Sequence, residues 1–215
     1  MLTVALTGGI ASGKSIIAEV FRSRGASLDP ADATARELMA PGRPAWEAIV
    51  ARLGSGILRP DRTINRKKLA RTLFRDPEVR GFLDAVVHPL VQAERRKTVT
   101  RLESEGRTRI YVAESALIFE AGVAAFFDRI VAALCKESVQ VERLVARDGI
   151  GLEDALRRVR AQWPHEEKKR RADYVIDTSG PVEETLAGAE RVFALLLNDA
   201  DRKDRGEKLR PLGAR

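Results

Sequence analysis

Residues 6–17 read LTGGIASGKSII, and the reading of this stretch decides the fold. Gly8, Gly9, Ser12, Gly13 and one lysine stand between an apolar strand candidate and an apolar helix candidate. A hydrophobic core gains nothing from them, so the stretch asks for a ligand. Gly8 to Ser15 fits G-x-x-x-x-G-K-[ST]. Residues without Cβ atoms let backbone N–H groups curl around phosphate oxygens. The helix that follows turns its positive end toward the same anion. Gly9, Ala11, Ser12, Gly13, Lys14, Ser15 and Ile16 are therefore expected to hold a nucleoside triphosphate. Lys14 would bridge the β- and γ-phosphates, and the Ser15 hydroxyl would ligate Mg²⁺. A plain flexible strand-to-helix turn is the alternative, and it leaves the lysine and the hydroxyl as coincidences.

Working outward, Leu2 to Leu6 reads as a buried strand and Ser15 to about Arg24 as a helix with Ile17, Val20 and Phe21 on one face. RIYVA (109–113), RIVAAL (129–134) and DYVID (173–177) read as further strands, with a brief extended piece at ASL (26–28). Residues 34–104 read as mostly helical, broken by Pro41, Pro44, Pro60 and Pro77. Leu69, Leu73 and Phe74 form one apolar stripe there, and Phe82, Leu83, Val86, Val87, Leu90 and Val91 a longer one. Two helices are expected between the last two strands, one holding Val141, Leu144 and Val145, the other Leu152, Ala155, Leu156 and Val159. A final helix runs from Val182 to Leu197, and the charged tail from 199 to 215 reads as disordered. Alternating strands and helices imply an α/β fold with a parallel sheet covered on both faces. The helical block is too large for a simple crossover and reads as a substrate-binding subdomain.

The bulk numbers narrow the function. The chain of 215 residues carries 38 basic and 31 acidic side chains, for a net charge of +7. That excess suits an anionic small substrate as well as a nucleic acid. No zinc-finger spacing, RGG run or basic–aromatic alternation supports the nucleic acid. No apolar run approaches the ~20 residues that span a bilayer. MLTVALTGG lacks the basic start of a signal peptide. The single Cys135 rules out an internal disulfide and, in the apolar run IVAALC, reads as a core residue. A cytoplasmic protein is expected.

Three more stretches identify a relative: DPADATAREL (29–38), VVHPLV (86–91) and ADYVID (172–177). With ESALIFEAG (114–122) and residues 140–177, they resemble dephospho-CoA kinase in order from residue 2 to about 197. The resemblance implies a P-loop kinase of three α/β/α layers, with a five-stranded parallel sheet, a helical substrate-binding insert and a helical lid. It implies one kinase domain over residues 1–198, with a core of 1–33 and 107–198, a CoA-binding insert at about 34–106 and a lid at about 138–170. The implied reaction moves the γ-phosphate of ATP, with Mg²⁺, to the ribose 3′-hydroxyl of dephospho-CoA, the last step of coenzyme A synthesis. Neither nucleic acid nor membrane is implied as a partner, and a monomer is favoured.

The same resemblance gives residues their roles. Asp32 matches the second Asp of the family's D-A-D and becomes the acid–base group at the 3′-hydroxyl. From the residues alone it reads equally as a helix N-cap. Pro30 replaces the first Asp of that motif, while Asp29 stands one position earlier and reaches Mg²⁺ only through water. Arg36 either helps hold the acceptor or pairs with Asp32 one turn away. His88 either contacts the CoA-side substrate or is structural, and Thr7 faces the acceptor. Glu114 ends a strand as a metal-holding carboxylate would, and Ala116 replaces the family's proline. Arg143 and Arg158 match the family's lid positions, and Arg147, four residues after Arg143 on one helix, completes R-x-x-x-R-D. Arg143 is implied as catalytic, Arg147 at ATP and Arg158 at the acceptor, and arginine forks from a lid would stabilise charge on the moving phosphoryl group. Lys168 aligns with a family lysine inside EEKKRR (166–171), a run otherwise read as charged surface. Glu120 reads as structural, and Trp46, Trp163 and His165 read as packing or surface residues. Thr178 stands where the family usually has Asn. The rival readings are another P-loop kinase with a small hydroxyl acceptor and, from a different class, a basic nucleic-acid-binding protein without turnover.

Overall fold

The computed structural model describes residues 1–209 and 211, without the side chains of 30–33, 74 and 75. Strand β1 (Leu2–Thr7) is buried at every position. It feeds the glycine-rich loop and helix α1 (Lys14–Ser23), which buries Ile17, Ala18, Val20 and Phe21. Then come β2 (Ser27–Pro30), α2 (Ala31–Leu38), α3 (Pro44–Leu53), α4 (Arg66–Arg75) and α5 (Pro77–Glu105). The second half runs β3 (Ile110–Glu114), β4 (Arg129–Leu134), α6 (Glu137–Asp148), α7 (Leu152–Arg160), α8 (His165–Arg171), β5 (Tyr174–Asp177) and α9 (Val182–Asp204).

The five strands form one parallel sheet in the order β2-β3-β1-β4-β5. Leu6 pairs with Glu114 on one side and with Val131 on the other, and Leu134 pairs with Asp177. The carboxyl ends of β1 and β3 thus lie within one residue of each other, and β4 and β5 run two residues further. β1 lies in the middle, so the glycine loop leaves the sheet at the edge where open α/β sheets bind ligands. One sheet face is covered by α1 and α9, through Phe21, Val192, Phe193 and Leu196 against Val4, Val112 and Ile176. The other is covered by Ile118, Phe119 and Ala172 against Ala5, Ile130 and Ala132.

The chain divides into two compact units, Met1–Asp29 with Leu102–Arg215, and Pro30–Arg101. The second is helical. Trp46, Ile49, Ile57, Ile64 and Leu69 form one of its apolar clusters, and Ala45, Val87 and Val91 another. Trp46 donates its ring N–H to the Arg62 carbonyl at 2.9 Å.

Two expectations are corrected. A third helix, α8, lies between β4 and β5, and apart from Lys168 its run of charges is the mostly exposed face expected. Its Lys168 is fully buried and pairs with Glu120 at 2.8 Å. Hydropathy hides such a residue, because its partner lies far off in sequence. The tail is also ordered further than composition suggests. Helix α9 continues to Asp204, with Asp199 and Ala200 buried, and Leu209 packs on the core cluster. Asp199 is buried because Arg129 meets it, and Ala200 joins the apolar core cluster; a single alanine between aspartates gives little apolar signal. Of the tail, residues 210 and 212–215 lie outside the described residues.

Candidate active site

The loop between β1 and α1 is shaped by close approach. A Cβ on Gly8 would stand 2.2 Å from the Ala133 carbonyl oxygen, a backbone atom that cannot give way, and Gly8 has φ +147°. A Cβ on Gly9 would stand 2.3 Å from Gln140 Nε2 and 3.0 Å from His165 Nε2. Ala11, which has a Cβ, is nevertheless held at φ 58°. That left-handed geometry costs about 1–2 kcal/mol and persists only where neighbours impose it.

Those neighbours come from α6 and the stretches that follow it. Gln140 Nε2 donates to the Ile10 carbonyl at 2.6 Å, and Gln162 Oε1 accepts from the Ile10 N–H at 2.7 Å. The Ile10 and Ala11 side chains pack on Val141, Leu144 and Ala155. On the other flank, Thr178 donates its hydroxyl to the Ser12 carbonyl at 2.8 Å. Arg143 Nη2 donates to the Thr178 carbonyl at 2.8 Å. Its other fork nitrogen lies 3.7 Å from where a Cβ on Gly13 would stand.

Within this frame the donors face inward. Lys14 Nζ lies 2.9 Å from the Gly9 carbonyl and 3.2 Å from that of Gly8. Helix α1 opens at Lys14 with Gly13 as its cap, so its first-turn N–H groups point out of the helix end. The buried polar atoms Thr7 Oγ1, Ser12 Oγ and Arg143 Nη1 have no hydrogen-bond partner among the described residues. Such atoms are costly in a native interior and mark a place for a polar ligand. Hydroxyls, a guanidinium and a helix head suit an anion.

The other expected residues are placed as follows. Ser15 is exposed on the first turn of α1, with Ile16 half-buried beside it, and Glu114 is half-buried at the end of β3. Arg147 and Arg158 meet at Asp148 instead, at 2.8 and 3.1 Å. Asp32 lies within the first turn of α2 and not at its capping position, and its side chain lies outside the described residues. Arg36 is exposed on the same helix. His88, on α5, stands 3.7 Å from Asp84 one turn back. Asp29 accepts from the buried Tyr111 hydroxyl at 2.5 Å. Strand alternation turns it that way: Leu28 packs toward the α1 face, so Asp29 points to the opposite one.

Sequence reasoning passed over Gln140 and Gln162 as loop contacts, whereas His165, expected as a packing or surface residue, packs beside Gly9. Burial holds the His165 imidazole below its ordinary 6.5, outweighing the Cys135 carbonyl that pulls the other way. The unfolded chain then takes the proton first as pH falls. Stability from this group is complete above about pH 6.5, declines below it and levels off once the folded imidazole also protonates. The fall in Tm between about pH 8 and about pH 5.5 is expected to be smaller in His165→Gln than in the parent chain. Equal falls contradict it.

The dephospho-CoA kinase family model matches residues 2–184, well beyond the glycine loop. This chain belongs to the dephospho-CoA kinase family. Its relative from Anaeromyxobacter dehalogenans, a dephospho-CoA kinase, is 39% identical over 203 residues, which is 94% of this chain and 96% of that protein. The dephospho-CoA kinase of Moorella thermoacetica is 41% identical over 193 residues, 90% of this chain and 91% of that one. Among solved structures, TT1252 from Thermus thermophilus superposes with a TM-score of 0.76 at 32% identity, covering 92% of this chain and 97% of that one. A shikimate kinase from Acinetobacter baumannii shares the fold, with a TM-score of 0.51 at 15% identity over 93% of this chain and 94% of its own. Membership makes the chain a P-loop kinase with ATP as phosphoryl donor. No helix among the described residues is long and apolar enough to cross a membrane.

Proposed function

We propose that this chain transfers the γ-phosphoryl group of ATP to the ribose 3′-hydroxyl of dephospho-CoA, giving coenzyme A and ADP. The observation that carries the reading is the family match across residues 2–184, which takes in the helical unit and α6–α8 as well as the loop common to many kinases.

The residues suit in-line transfer. Lys14, beside the Gly8 and Gly9 carbonyls, supplies a cation to the β- and γ-phosphates. Ser12 Oγ and Arg143 Nη1 supply donors that need an acceptor. A guanidinium aimed at the travelling group stabilises charge that grows on its equatorial oxygens. Asp32 accepts the proton of the attacking hydroxyl, and a carboxylate does so best late in a loose transfer. Arg36, His88 and Thr7 hold the acceptor. Arg147 and Arg158 swing their side chains to the substrates when released from Asp148, with the helices that carry them staying in place. The Ser15 hydroxyl and Glu114 carboxylate are hard oxygen donors that fit Mg²⁺, which when bound neutralises phosphate charge. The transfer is read as cytoplasmic, on a monomer, with neither nucleic acid nor membrane as partner.

ADP release is the test, with dephospho-CoA, shikimate, gluconate and AMP as acceptors. Release with dephospho-CoA at least about a hundredfold above the others is expected; a preference for any of the others overturns the assignment. Asp32→Asn is expected to lower kcat about 10²–10⁴-fold, with KM for ATP little changed. An unchanged kcat removes Asp32 from the proton transfer.

A further inference from the structure

Ile10 sits at the tip of the phosphate loop, and both halves of its backbone are held by glutamines from outside it. Gln162, between α7 and α8, accepts from its N–H at 2.7 Å, and Gln140, on α6, donates to its carbonyl at 2.6 Å. Gln140 is 1% exposed, so its amide has little access to water as a substitute partner. The next residue, Ala11, is the strained one, at φ 58°. Gly9, before it, packs directly against the Gln140 and His165 side chains. The loop tip is therefore fixed from α6 and from the α7–α8 connection.

We propose that Gln140 and Gln162 are positioning residues for phosphoryl transfer: they clamp Ile10 so that the loop is already shaped for phosphate before nucleotide arrives. The role rests on the kinase reading above. It also withholds the Ile10 N–H from phosphate, because Gln162 has taken it. Phosphate is left to donors further along the loop, and Ile10 serves as the anchor. The clamp ties the loop's shape to α6 and to the α7–α8 connection, so moving either disturbs the loop.

The test uses the two glutamines separately, because their chemical demands differ. Position 162 needs an acceptor and position 140 a donor. Two readouts are taken on the full chain: ADP affinity by calorimetry, and hydrogen exchange of the loop amides without ligand. Gln162→Met and Gln140→Met are each expected to weaken ADP about tenfold and to speed exchange at Ile10–Ser12 by a similar factor. KM for ATP is expected to rise by more than kcat falls. Gln162→Glu keeps an acceptor and is expected to recover most of the protection lost in Gln162→Met. Gln140→Glu sets a carboxylate against the Ile10 carbonyl and is expected to lose as much as methionine does, or more.

A purely structural role lowers Tm without this asymmetry between the two glutamate variants. Methionine variants with parental exchange and ADP affinity overturn the proposal, as does a glutamate at 140 that protects as well as one at 162. If the buried Gln140 variants fail to fold, the Gln162 pair alone decides. Exchange needs neither nucleotide nor acceptor, so it judges the clamp even if the parent chain binds no ADP, a result that would overturn the kinase reading instead.

Discussion

Lys14→Met is expected to lower kcat/KM for phosphoryl transfer by about 10³-fold while leaving Tm within a few degrees. The first half follows from where the ammonium stands. Its Nζ lies 2.9 and 3.2 Å from two carbonyls at the loop's start, so it is the loop's own cation. In a site that excludes water, charge placed before the reaction needs no rearrangement as the phosphoryl group moves. The second half follows from redundancy. The loop is also held through Ile10 and through the Ser12 carbonyl, neither of which involves Lys14. Lys14→Arg is expected to fail nearly as badly, because a planar fork does not replace a compact ammonium between those carbonyls. Less than a tenfold loss for Lys14→Met, with the fold intact, contradicts this role.

Asp199→Ala is expected to destabilise the fold by about 3–5 kcal/mol. Arg129 and Asp199 face each other at 2.6 Å with 1% and 4% of their side chains exposed, and the Tyr174 hydroxyl donates to the same carboxylate at 2.7 Å. Burial alone would raise the Asp199 carboxyl, but the Arg129 and Tyr174 bonds outweigh it and hold it below its usual value. Burial, then the bond to Asp199, pushes the Tyr174 hydroxyl up to about 12. Deleting the carboxylate removes the two-pronged partner of a buried guanidinium. The pair ties α9 to β4 at the sheet end away from the phosphate loop, so stability is expected to fall while KM for ATP stays put. The native carboxylate is depressed, so its stabilisation is present above the unfolded value near 4 and lost as pH falls through the folded one. Urea unfolding of parent and variant at neutral pH measures the loss. A difference under about 1 kcal/mol contradicts it, whereas Arg129→Met with Asp199→Leu is expected to restore much of what the single change loses.

The phosphate loop was legible because its chemistry is local: small residues, lysine and hydroxyl are consecutive, and an apolar strand and an amphipathic helix frame them. The sheet was legible for the same reason, since its buried strands are short uninterrupted apolar runs. Residues whose role depends on a distant partner were not. Gln140 meets Ile10 across 130 positions, and a glutamine carries no periodicity that announces it. Lys168 lies inside a run of charges, yet its ammonium reaches the Ala116 carbonyl at 2.7 Å as well as Glu120. It thereby holds the turn that contains Ala116. Asp199 reads as tail because the residues that follow it are mostly charged. Arg143, Arg147 and Arg158 look alike as lid arginines, but Arg143 contacts the 178 turn beside the loop, whereas the other two share Asp148. Spacing along helices does not say which face an arginine will find a carboxylate on.

The most direct measurement follows the phosphoryl group itself. The chain is incubated with γ-labelled ATP and dephospho-CoA, and the label is located in the product by phosphorus NMR. The account predicts label on the ribose 3′-oxygen of newly formed coenzyme A, one per ADP released. Label appearing only as inorganic phosphate, or on any other oxygen of the acceptor, contradicts it.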